Sequence, residues 1–91
     1  MIPVFEPLIG EEEIRAVVDA LRQGELSGTF SANIPRFEQA FAEYCGCKFG
    51  VAVTSGTAAL QLAVNAAGIK HGDEVIVSSC TNIATALAIL H

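Results

Sequence analysis

Residues 51–65 (VAVTSGTAALQLAVN) constrain the fold most, because a short β-branched run passes through a small polar turn into an Ala- and Leu-rich helix. Such a turn leaves backbone N–H groups free at the start of the helix. The helix dipole adds partial positive charge there, which favours a bound phosphate. Gly56 lets the backbone approach an anion closely, and Ser55 and Thr57 can add hydroxyl donors. The alternative is that Ser-Gly-Thr is only a turn and an N-cap.

The composition is unusually apolar for a chain of this length. Of its 91 residues, 52% are hydrophobic and only 16% are charged, and the mean hydropathy is +0.49. A small domain has a large surface to cover with polar groups. We therefore expect a piece of a larger protein, whose other parts cover the apolar faces.

Charge and cysteine usage exclude several classes of partner. The net charge of −5, with no cluster of Lys or Arg, argues against nucleic acid and anionic membranes. We expect no secretory signal, because the first ten residues lack a basic segment and an apolar core, and the apolar stretch at 83–90 is far shorter than the ~20 residues of a membrane span. The three cysteines, Cys45, Cys47 and Cys80, favour buried free thiols in a cytoplasmic protein, and no metal site is expected.

Hydrophobic periodicity predicts four helices and two strands after an extended arm at 1–9. The predicted helices run from about 11 to 22, from Asn33 as N-cap to about 45, from 57 to 67, and from 83 onward, the last two buried on most sides. The predicted strands are residues 49–53 and 74–77. The alternation of strand and helix indicates an α/β fold with parallel strands.

The loop at 25–32 (ELSGTFSA) has neither helical nor strand periodicity. Small polar loops on a rigid scaffold often contact ligands, so Ser27 and Gly28 are candidate substrate-binding residues. A plain connector explains the same composition.

Several motifs in order resemble the start of the DegT/DnrJ/StrS sugar aminotransferases. These motifs are GEEEI-x-AVV-x-AL, LSG, IP-x-FE-x-AFA-x-Y, VAVTSGTAAL, GDEVIV and T-x-IAT. The resemblance implies a pyridoxal-phosphate enzyme of aspartate-aminotransferase-like fold, which has three layers and a mostly parallel sheet. Residues 1–91 would then be an N-terminal arm and helices plus the truncated start of the large cofactor-binding domain.

The resemblance also implies a set of site residues. Ser55, Gly56 and Thr57 would hold the phosphate of pyridoxal 5'-phosphate. Asn82 stands where the family usually places an aromatic ring against the cofactor. The lysine that forms the Schiff base is expected downstream of His91, so the chain has no catalytic residue of its own and would be inactive alone.

The implied reaction moves an amino group from glutamate to a nucleotide-linked keto-sugar, in a cytoplasmic homodimer that serves polysaccharide biosynthesis. A sugar dehydratase of the same family remains an alternative, because some members use a His in place of the lysine. A small non-catalytic binding protein that keeps only the phosphate turn is the third possibility.

Overall fold

The computed structural model describes residues 1–90, which contain four α-helices and no β-strand. The helices are α1 (Glu11–Arg22), α2 (Asn33–Tyr44), α3 (Gly56–Ala66) and α4 (Ile83–Leu90). The chain divides into two compact units at Gly50, so α1 and α2 belong to the first unit and α3 and α4 to the second.

Helix α1 begins and ends where the sequence predicts. Glu11, Glu12 and Glu13 lie in its first turn and Arg22 in its last, so both ends complement the helix dipole. After the helix, Gly24 has a φ of +71°, a left-handed conformation that ends helices and that glycine adopts without strain.

Helix α2 begins one residue earlier than predicted. Asn33 is its first residue rather than its N-cap, and the capping position is Ala32, whose backbone is helical. The Ser31 hydroxyl instead accepts a hydrogen bond from the Asn33 N–H at 3.1 Å. On the apolar stripe of α2 the Phe37 and Phe41 rings stack at 5.5 Å between centroids.

Helices α3 and α4 pack against each other in the second unit. The prediction that both are buried on most sides is wrong for the described chain. No residue of α3 is buried, and in α4 only Ala88, with 4% of its surface exposed, is buried. A helix that is apolar on all sides therefore has faces that packing within residues 1–90 does not cover.

The predicted α/β fold with a mostly parallel sheet is contradicted. Residues 49–53 and 74–77 form no strand, and no sheet exists within residues 1–90. A β-branched run favours extended backbone, but a strand also needs a second segment to complete its hydrogen-bond ladder. At the first of these segments, Gly50 lies against α2 so closely that an added Cβ would overlap the Glu38 carbonyl oxygen. This segment begins against a helix and not against another strand.

The surface differs from expectation in one further respect. Cys45, Cys47 and Cys80 are free, as predicted, but all three are exposed rather than buried.

The segment at 1–9 forms no helix and is exposed throughout. Over the 90 residues that the structure covers, every helix is too short or too polar to cross a lipid bilayer.

Candidate functional site: the turn that opens helix α3

Ser55 fixes the geometry of the predicted phosphate turn. Its backbone is extended (φ −160°, ψ 161°), and its Oγ accepts a hydrogen bond from the Ala58 N–H at 3.2 Å. The Ser55 carbonyl accepts the first helical bond, from the Ala59 N–H at 3.0 Å. Ser55 is therefore a true N-cap, as the simpler interpretation of the sequence requires.

Two backbone donors remain open at this turn. The N–H groups of Gly56 and Thr57 are the first two of α3, and the first N–H groups of a helix have no acceptor within it. Within residues 1–90 neither donates a hydrogen bond to any other group. A Cβ built on Gly56 would meet no atom within 4 Å, so the space beside the Gly56 α carbon is open. The cap and the anion site can thus coexist.

The start of α1 shows what a helix N-terminus looks like when the chain supplies its own anion. There the Glu13 carboxylate accepts a hydrogen bond from the Gly10 N–H, with 2.7 Å between N and Oε2. Hydrogen bonds from the backbone N–H groups of Glu13 itself and of Gly10 lower the pKa of this carboxyl group. The first turn of α3 contains no acidic residue. The partial positive charge at its start is therefore available to an external anion.

Asn82 caps helix α4. Its side-chain Oδ1 accepts a hydrogen bond from the Ala84 N–H at 3.0 Å, and its carbonyl accepts one from the Thr85 N–H at 3.0 Å. Asn82 is exposed. The amide oxygen is committed to the cap, while the NH₂ group is left as a donor.

Ser27 and Gly28 lie in an exposed loop of the first unit. The Ser27 carbonyl accepts hydrogen bonds from the Phe30 and Ser31 N–H groups at 3.2 and 3.0 Å. A Cβ on Gly28 would come within 3.1 Å of Ile34 Cδ1, so this loop lies against the first turn of α2.

The structure brings Ser55, Gly56 and Thr57 together in one turn of the second unit, which also carries Asn82.

Sequence reasoning missed Ser31, a buried residue that organises the loop at 25–32. The available signal was a serine two residues before the start of a helix, a spacing that allows a side-chain to backbone bond. Among the described residues, no cluster of three or more His, Cys, Asp or Glu side chains could hold a metal ion.

Comparison with known protein families decides the relationship of the chain. The model of the DegT/DnrJ/EryC1/StrS aminotransferase family matches residues 7–91. The chain belongs to this family of aminotransferases. The resemblance carried by the sequence motifs is thereby confirmed.

The chain is similar to several known proteins. The spore coat polysaccharide biosynthesis protein SpsC of Bacillus subtilis is 48% identical over 90 residues, which are 99% of this chain and 23% of the relative. A GDP-perosamine synthase of Vibrio cholerae is 42% identical over 93% of the chain and 23% of its own length. Another, from Caulobacter vibrioides, is 53% identical over 64% of the chain and 16% of its own length.

The chain thus spans about a quarter of the length of these relatives. No solved structure matches it.

Proposed function

We propose that this chain contributes the phosphate-binding turn of a pyridoxal-phosphate-dependent aminotransferase that transfers an amino group from glutamate to a nucleotide-linked keto-sugar. One observation carries the proposal beyond family membership. The N-terminus of α3 presents the free N–H groups of Gly56 and Thr57, with open space beside the Gly56 α carbon and no acidic residue in the first turn. A phosphate dianion needs such a set of donors.

The donor set fits the phosphate of this cofactor. Gly56 and Thr57 would each donate a backbone N–H, and the exposed Thr57 hydroxyl would add a third donor. Ser55 uses an acceptor lone pair of its Oγ for the Ala58 N–H, so its O–H hydrogen remains free for a fourth bond. Hydrogen bonds to a charged acceptor are about twice as strong as neutral ones. The turn would therefore anchor the cofactor through its phosphate.

When bound, pyridoxal phosphate supplies a ring that withdraws electrons from the carbon bonded to the transferred nitrogen. In this proposal, residues of the chain bind the cofactor and the sugar substrate and orient them. Asn82 would lie against the pyridine ring, with its orientation fixed by the bond from the Ala84 N–H. Ser27 and Gly28 would contact the sugar substrate from their exposed loop.

We also propose a cytoplasmic homodimer as the working form. Three free cysteines fit a reducing compartment. Three residues of the apolar stripe on α1, Ile14, Val17 and Leu21, each have 48–61% of their surface exposed. An apolar stripe of this kind supports burial against further protein surface, such as a second copy of the chain.

The test uses the natural full-length protein with glutamate and a GDP-linked keto-sugar, because two relatives are by name synthases of a GDP-linked product. We expect pyridoxal phosphate to be required, and 2-oxoglutarate and an amino sugar to form in equal amounts. A deoxygenated keto-sugar formed together with 2-oxoglutarate and free ammonia, and without an amino sugar, would indicate a dehydratase instead. Absence of any conversion over a panel of nucleotide-linked keto-sugars would contradict the proposal.

Gly56→Asp is a matched variant for the same assay. A carboxylate at the first position of a helix suits the dipole, and the space around Gly56 accommodates the side chain, so folding should be preserved. The same carboxylate would repel the cofactor phosphate. We expect unchanged thermal stability of the apo-protein and a large loss of cofactor affinity.

A further inference from the structure

Ser31 is the only buried polar residue among residues 1–90, with 9% of its surface exposed. It lies in the loop at 25–32, where residues 26–30 are all exposed. A buried hydroxyl in an exposed loop needs hydrogen-bond partners to offset the loss of water. Its partners show what it does.

The Ser31 hydroxyl joins the two ends of the loop. It donates to Glu25 Oε2 at 3.1 Å, and it accepts from the Asn33 N–H at the start of α2, also at 3.1 Å. The backbone N–H of Ser31 donates to the Ser27 carbonyl at 3.0 Å. One residue thus connects the entry of the loop, its middle and the following helix.

These bonds enclose Ser27 and Gly28, which we propose as substrate-binding residues. The Glu25–Ser31 hydrogen bond joins the two ends of the segment that contains both residues, and Gly28 lies against Ile34 of the first turn of α2. A loop held in one conformation loses less conformational entropy when a ligand binds. Loss of the Ser31 hydroxyl would release the loop at both of its ends.

We infer that Ser31 is a positioning residue, which holds the Ser27–Gly28 loop in the conformation that binds the sugar substrate. This inference rests on the proposed function. Ser31 acts through the loop and has no part in holding the cofactor phosphate, which is assigned to the turn at 55–57. Its removal should therefore change the binding of the sugar and leave the binding of pyridoxal phosphate unchanged.

The test compares Ser31→Ala and Ser31→Thr in the natural full-length protein loaded with pyridoxal phosphate. We expect Ser31→Ala to raise KM for the nucleotide-linked keto-sugar by about five- to tenfold. This is less than the full loss of two ordinary hydrogen bonds would cause. The turnover number, the KM for glutamate and the Kd of the cofactor should change less than twofold. Ser31→Thr retains the hydroxyl and should restore most of the KM.

A double-substitution cycle with Glu25→Ala tests the mechanism of the effect. Because both substitutions remove the same hydrogen bond, their effects on KM should be clearly less than additive. Hydrogen exchange of the Asn33 amide should also accelerate in Ser31→Ala, and that of the α3 amides should not.

Two results would overturn the inference while leaving the proposed function intact. One is an active wild-type enzyme whose KM for the sugar is unchanged by Ser31→Ala. The other is equal loss of sugar and cofactor binding in that variant, which would mean a general folding defect. If the wild-type protein aminates no keto-sugar at all, the proposed function fails first, and the inference fails with it.

Discussion

Replacing Thr57 with valine isolates one donor of the proposed phosphate site. Valine keeps the β-branched shape and removes only the hydroxyl, which is exposed and makes no hydrogen bond within the described part of the chain. The apo-protein should therefore keep its stability. A hydrogen bond to a charged group contributes about 1.5–3 kcal/mol. At about 1.4 kcal/mol per decade, the Kd for pyridoxal phosphate should rise about ten- to a hundredfold.

The assay is an absorbance titration of the full-length apo-protein with pyridoxal phosphate, alongside its thermal unfolding without cofactor. Thr57→Ser is the matched control, because it keeps the hydroxyl and should bind within about twofold of wild type. An unchanged Kd for Thr57→Val would show that the hydroxyl does not contact the phosphate. An equal loss in both variants would assign the effect to the shape of the side chain.

Three further predictions concern the supporting structure. Gly50→Ala should destabilise the protein by about 1–3 kcal/mol in denaturant unfolding, because the new methyl group overlaps the Glu38 carbonyl; no loss would mean that this approach is not kept in solution. Asn82→Ala should cost about 0.5–2 kcal/mol by removing the α4 cap, whereas Asn82→Asp should keep it, and equal stability of the two variants would contradict the cap. Glu13 has a pKa below its ordinary value of 4.5, so its stabilisation should be full above pH 4.5 and disappear as the pH falls below it. Unfolding of wild type and Glu13→Ala across pH 2–7 measures this, and a difference that persisted at the acidic end would refute it.

The helices could be predicted from the sequence because the signals that define them are local. Glutamates in the first turn and an apolar stripe lie within the helix that they specify, and a glycine follows directly after it, as α1 shows. The start of α2 was predicted one residue too late because two such local signals compete there. Both Ser31 and Asn33 are good capping residues, and only the fold around the loop determined which one acts.

The strands and the burial could not be predicted because both depend on segments distant in sequence. The β-branched run at 49–53 carries a local preference for extended backbone, but nothing within it specifies a pairing partner. The apolar face of α3 likewise indicates burial without identifying the covering surface, and in residues 1–90 that surface is missing. The exposed thiols follow the same rule, since cysteine is usually buried only where a core exists to receive it.

At the candidate site the signals are local throughout. The cap and the free donors at 55–57 follow from a short local pattern and were predictable. For Asn82 the sequence favours a position against the cofactor ring, with a buried cap or core hydrogen-bonding residue as the alternative, whereas the structure shows an exposed cap. Its amide oxygen meets the Ala84 N–H two residues along the chain, a local contact that its place before an apolar helix could have suggested.

The most direct test of the central claim is a crystal structure of the natural full-length protein with pyridoxal phosphate. The account predicts phosphate oxygens at about 2.7–3.2 Å from the backbone nitrogens of Gly56 and Thr57, with Ser55 Oγ still accepting from the Ala58 N–H. A cofactor phosphate bound elsewhere, with these two N–H groups facing only water, would contradict it.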